Sequence, residues 1–84
     1  MHTMTEIRAI DEHTLLATFD GAEKRIRDMS DLITAGKVFA PLQNPGFFKT
    51  VRLVYGAPTW IGPQGQEIDI CPDTFYLESH PWEG

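Results

Sequence analysis

The chain has 84 residues, 42% apolar and 23% charged, with seven Lys and Arg against twelve Asp and Glu for a formal charge of −5. That length holds one domain, because two cores would each be too small, and the composition excludes wholesale disorder, collagen-like repeats and coiled coil. An acidic chain with one short basic stretch is a poor neutraliser of phosphates, so direct nucleic-acid binding is not expected.

In chain order, a strand is expected around Glu6 to Ile10, turning at Asp11-Glu12. Thr14 to Phe19 then alternates, with Leu15, Ala17 and Phe19 on one face. Asp20-Gly21 predicts a tight hairpin, since Gly accepts positive φ at no steric cost, and Ala22 to Asp28 makes the return strand with Ile26 as its inward anchor. Near Asp28 or Ser30, either of which can cap a first turn, the period changes to a short helix carrying Leu32 and Ile33 and stopping at Gly36. Ala40-Pro41 and Asn44-Pro45-Gly46 break the chain twice, leaving Val38, Phe39, Leu42, Phe47 and Phe48 as core anchors. Thr50 to Tyr55 alternates with Val51, Leu53 and Tyr55 on one face, Gly56-Ala57-Pro58 turns, and Thr59, Trp60 and Ile61 form the next strand. Gly62 to Gln66 is a second turn, and Glu67 to Ile70 a last strand with both isoleucines inward. Asp73 to Leu77, after Pro72, reads as a helical turn or an edge segment, and Glu78 to Gly84 as a loosely held tail. The expected fold class is α+β: a small single domain over residues 1–84, ordered over about 5–77. It has a mostly antiparallel five- or six-stranded sheet with one or two short helices.

No apolar run approaches the roughly 20 residues of a membrane span, and the opening residues lack a basic-then-apolar leader, so a cytoplasmic chain without membrane contact is expected. The lone Cys71 has no internal disulfide partner and reads as a buried, inert thiol. His2, His13 and His80 have no metal-ligand spacing, Ser79-His80 are neighbours rather than a triad, and Gly62 to Gln66 lacks the lysine of a phosphate loop. No catalytic residue, cofactor or metal is therefore expected, and the chain is read as a non-enzyme.

The aromatics Phe47, Phe48, Tyr55, Trp60, Phe75 and Tyr76 read first as core and second as a binding pocket. Glu67, Asp69 and Asp73 can solvate an exposed face, cap a helical turn, or do acid-base work. Lys24, Arg25 and Arg27 read as a solvated hairpin edge. Charge is uneven: residues 1–49 carry a net −1 and residues 50–84 a net −4, with Arg52 the only basic residue there.

Phe19-Asp20-Gly21, Asp28, Val38-Phe39 with Leu42, Phe47 followed by Val51, Trp60, and above all Asp69-Ile70-Cys71-Pro72-Asp73-Thr74-Phe75-Tyr76 carry a family resemblance. The chain resembles the DUF2442 family of small bacterial proteins of unknown function over about residues 5 to 77. The segment from Ile61 to Ile68 is longer than in that family. The resemblance implies an α+β domain and no established catalytic activity; some relatives look like acidic partners of small toxin-like proteins, and others carry the domain before a helix-turn-helix module. The expectation is a non-enzymatic protein-binding or regulatory module, antitoxin-like, taking a small basic protein partner. The candidate surface is Trp60, Asp69, Pro72, Asp73 and Tyr76. The alternative is a small-molecule site or minor enzyme with a pocket near Trp60, Asp69 and Tyr76, and a homodimer joined through a sheet edge is a third expectation.

Overall fold

Two glycine-containing turns set the architecture. Asp20 and Gly21 both take positive φ (53° and 76°), as do Tyr55 and Gly56 (52° and 76°), which is the backbone twist that lets antiparallel strands reverse tightly. The computed structural model describes residues 2–83. Within them the strands are β1 (Met4–Ala9), β2 (Thr14–Phe19), β3 (Glu23–Asp28), β4 (Arg52–Val54), β5 (Ala57–Ile61), β6 (Glu67–Asp69) and β7 (His80–Pro81), and the helices α1 (Ser30–Ala35), α2 (Pro45–Phe48) and α3 (Pro72–Glu78), with a 3-10 segment at Lys37–Gln43. One antiparallel sheet runs β1-β2-β3-β7 and a second β4-β5-β6. The α+β class stands. The strands divide between two sheets because the helical stretch from Ser30 to Phe48 carries the chain off β3, and the second hairpin then pairs with itself.

Local chemistry explains the helical stretch. Gly36 ends α1 at φ 74°, and the Asn44 side chain accepts from the Gly46 and Phe47 N–H groups with Pro45 opening α2. The two proline breaks therefore partition the segment into short turns rather than unwinding it. Leu15, Ala17 and Phe19 on β2 meet Met29, Leu42, Phe48, Trp60, Ile68, Ile70 and Phe75 in one core. A bulge between Met4 and Glu6 in β1 lets both Met4 and Ile7 turn toward that core despite their odd spacing. Trp60 is fully buried, its indole N–H donating to the Phe48 carbonyl at 2.8 Å and its ring stacked on Phe48 at 5.8 Å. That contact ties the second sheet to α2.

Four expectations change. The hairpin pairs Phe19 with Glu23, so its loop has three residues; this sets Leu15 opposite Arg27 and leaves Ile26 half-buried on the other face. A two-residue loop would have placed Ile26 opposite Leu15, and a one-residue slip moves every side chain to the opposite face. The second turn is Tyr55-Gly56, not Gly56 to Pro58, so Tyr55 stands at the tip fully exposed, and Val38 is exposed as well. The tail is tied down: His80 and Pro81 pair with Ile26 and Arg25, and the Trp82 N–H donates to the Lys24 carbonyl; Gly84 lies outside the described residues. Cys71 is exposed rather than buried.

Tyr55 occupies a left-handed position that Asn or Gly fills at lower steric cost, and its ring packs on nothing that would offset this. Tyr55→Asn should stabilise the fold by about 1 kcal/mol, seen as a higher urea midpoint at unchanged slope.

Candidate functional site

The register of β3 puts Glu23, Arg25 and Arg27 on the core-facing side, opposite Phe19, Ala17 and Leu15. Three charged side chains in a row on an inner face need partners, because an unpaired buried charge costs several kcal/mol. α3 and α1 supply them. Arg27 is only 4% exposed; its Nη1 donates to the Asp28 carbonyl at 2.7 Å and to Asp31 Oδ1 at 3.2 Å, and its Nη2 to Asp31 Oδ2 at 3.5 Å and Glu78 Oε2 at 3.3 Å. Its Nε has no partner among the described residues.

Two residues back along β3, the Arg25 Nε donates to Ser79 Oγ at 2.6 Å and Nη2 to the Ser79 carbonyl at 2.8 Å, while the guanidinium lies 4.2 Å over the Tyr76 ring. The Tyr76 hydroxyl donates to Glu23 at 2.8 Å, which holds that carboxyl below its ordinary value and pushes the phenol up. His2 stacks on the other face of Tyr76 at 3.5 Å. The seam seals α3 to the sheet.

Above Arg27 the seam opens into a cleft of about 370 Å³ lined by Arg27, Asp28, Ser30, Asp31 and Glu78. The side chains of Asp28, Asp31 and Glu78 are 60%, 67% and 48% exposed. Ser30 donates to Asp28 from both its backbone N–H and its hydroxyl, and Arg27 donates to Asp31, so both carboxyls sit below their ordinary value. His13 approaches Asp28 at 3.4 Å. Three carboxylates against one guanidinium leave the cleft negative.

The surface expected from the sequence is not gathered in one place. Trp60 is sealed in the core and offers nothing to a ligand, Asp69 is exposed on β6 opposite Thr59, and Tyr76 lies against the first sheet. Neither the cleft at Arg27 nor the one between Glu6 and Lys24 is lined by Trp60, Asp69 or Tyr76. Pro72 opens α3, and Asp73 lies in its first turn, accepting from the His2 N–H at 3.5 Å rather than capping the helix. The backbone N–H groups of Thr74 and Asp73 near the Cys71 thiol hold it below its ordinary value. Among the described residues no group of three or more His, Cys, Asp or Glu is placed to hold a metal ion.

Compared with protein-family models, with curated proteins and with solved structures, the chain matches none of them. Among the described residues no helix is long and apolar enough to cross a membrane.

The cluster Arg27, Asp31 and Glu78 escaped sequence reasoning. The spacing of four between Arg27 and Asp31 crosses a strand-to-helix junction, where it carries no helix-face meaning, and Glu78 is 51 residues away. Lys24, Arg25 and Arg27 are correspondingly no solvated edge, since β3 is flanked by β2 and β7.

Two outcomes follow from the burial of Arg27. Replacing both partners (Asp31→Asn with Glu78→Gln) leaves a buried cation without counter-charge and should cost about 3 kcal/mol, more than Arg27→Met, which returns solvated carboxylates to water; urea unfolding of the two variants gives the order. The second concerns pH. A carboxyl whose folded value is depressed stabilises fully above its unfolded value and loses that contribution as pH falls through the folded one; for Asp28 and Asp31 the ordinary value is 3.8. The urea midpoint should therefore be flat from about pH 7 to 5 and fall below about 4, with a shallower fall in Asp31→Asn.

Proposed function

We propose that this chain is a non-enzymatic protein-binding or regulatory module that takes a small basic protein partner at the carboxylate cleft of Asp28, Asp31 and Glu78. The observation that carries this reading is the imbalance there: three half- to two-thirds-exposed carboxylates line the cleft with one guanidinium, whose donors are already engaged by the Asp28 carbonyl, Asp31 and Glu78. Their remaining acceptor capacity faces the cleft, and a lysine or arginine of a partner is its chemical complement. The net −5 of the whole chain adds long-range attraction for the same class of partner. The resemblance to DUF2442 proteins agrees, since some of those relatives look like acidic partners of small toxin-like proteins, and an antitoxin-like role is the specific form of this proposal.

The working surface then lies at the β3–α1 junction and the end of α3. It includes only one of the five acidic residues between Thr50 and Gly84 that the charge distribution singled out, namely Glu78.

A lysine-rich synthetic peptide labelled for fluorescence anisotropy tests the reading with the intact chain. Binding should weaken by about tenfold or more between roughly 0.05 M and 0.5 M salt, as screening shortens the reach of the cleft's field. Asp28→Asn, which keeps an oxygen for the Ser30 N–H, should weaken it several-fold. Equal binding of a glutamate-rich peptide, or indifference to salt, would sink the proposal.

A further inference from the structure

The opposite side of the first sheet carries a second constellation. The pairing of β1, β2 and β3 sets Glu6, Thr18 and Lys24 side by side across three strands, with Arg8, Leu16 and Ile26 in the next row. Between them lies a cleft of about 220 Å³ lined by Glu6, Ile7, Arg8, Leu16, Thr18 and Lys24. Leu16 and Thr18 are buried and form its floor.

The charges on its rim are arranged unusually for this protein. Arg25 and Arg27 are both paired with carboxylates, yet among the described residues neither Arg8, Lys24 nor Glu6 is in an ion pair. Adjacent strands are about 4.8 Å apart, so Glu6 and Lys24 stand about 10 Å apart at their Cα atoms with Thr18 between them. Charges of opposite sign thus face each other across a gap that they do not close. A ligand with one charge would satisfy one side of that gap and leave the other unpaired. A ligand bearing both would complement both, and Arg8, diagonally across β2 from Lys24, adds a guanidinium that can receive a carboxylate on two N–H groups. A cleft this small suits a molecule well below drug size.

We propose that this cleft binds a small zwitterion of the α-amino acid class. The ligand's carboxylate lies between Arg8 and Lys24, its ammonium faces Glu6, and its side chain rests on Leu16. The site is independent of the basic-partner reading, since the carboxylate cleft opens from the other face of the same sheet.

The chain carries its own reporter. Trp82 donates its backbone N–H to the Lys24 carbonyl, and the Lys24 ammonium lies 6.0 Å from its ring, whereas the other tryptophan, Trp60, is fully buried. Titration of the intact protein with L-valine, followed by Trp82 emission and by calorimetry, should saturate. Acetate and ethylamine, each with one of the two charges, should bind at least about tenfold more weakly, and Glu6→Gln and Arg8→Gln should each cost about tenfold in affinity for L-valine, with unchanged circular dichroism. Asp28→Asn should leave L-valine binding untouched, which separates this site from the carboxylate cleft. Absence of saturation with L-valine up to tens of millimolar, acetate binding as tightly as L-valine, or wild-type affinity in Glu6→Gln would each overturn the proposal.

Discussion

A guanidinium on the core side of a sheet is the constraint around which this fold is arranged. Arg27 is 4% exposed, and a charge so placed is tolerated only where counter-charges and hydrogen-bond acceptors reach it. Asp31 must then come from the first turn of α1 and Glu78 from the end of α3. The two helices are separated by the 36 residues from 36 to 71, yet both are drawn to the same point of β3. The return of the tail as β7 follows from the same requirement: once Ser79 is bonded to Arg25, His80 is delivered alongside Ile26.

The apolar core therefore stops at β2 and is replaced, on β3, by a polar seam. For a domain of this size such a seam is costly in hydrophobic burial, because one strand contributes charged rather than aliphatic groups to its inner face. What it supplies is specificity of position. Apolar side chains accept many neighbours, whereas a forked guanidinium accepts few, so α3 can dock on this sheet in one register with Tyr76 over Arg25 and Glu78 beside Arg27.

Most of the strands, the Asp20-Gly21 turn, the α1 stop at Gly36 and the burial of Trp60, Ile68 and Ile70 were legible in the sequence, because each rests on local conformational preference or on alternation. The orientation of β3 was not. It depends on whether the hairpin loop holds two residues or three, and Ala22 is compatible with either; the extra loop residue turns Ile26 outward and Arg25 and Arg27 inward. The candidate cleft was invisible for the same reason, since it exists only because Arg27 faces in. Tyr55 shows the converse failure: alternation placed it on a buried face, while the Gly that follows it fixes the turn one residue earlier.

The first sheet is thus chemically different on its two sides, and the difference follows from the β3 register. On the inner side, two arginines are consumed by structure and the carboxylates that neutralise them exceed them in number. On the outer side, Arg8 and Lys24 have no carboxylate partner among the described residues. A slip of one residue would exchange these roles, burying Lys24 and Ile26 and returning Arg25 and Arg27 to solvent. Binding of the proposed basic partner at the inner cleft would be linked to stability, because a cation that neutralises Asp28, Asp31 and Glu78 would interact with an arrangement that exists only in the folded state. The excess negative charge that weakens a small acidic domain by self-repulsion is, at that cleft, the charge a basic ligand would relieve.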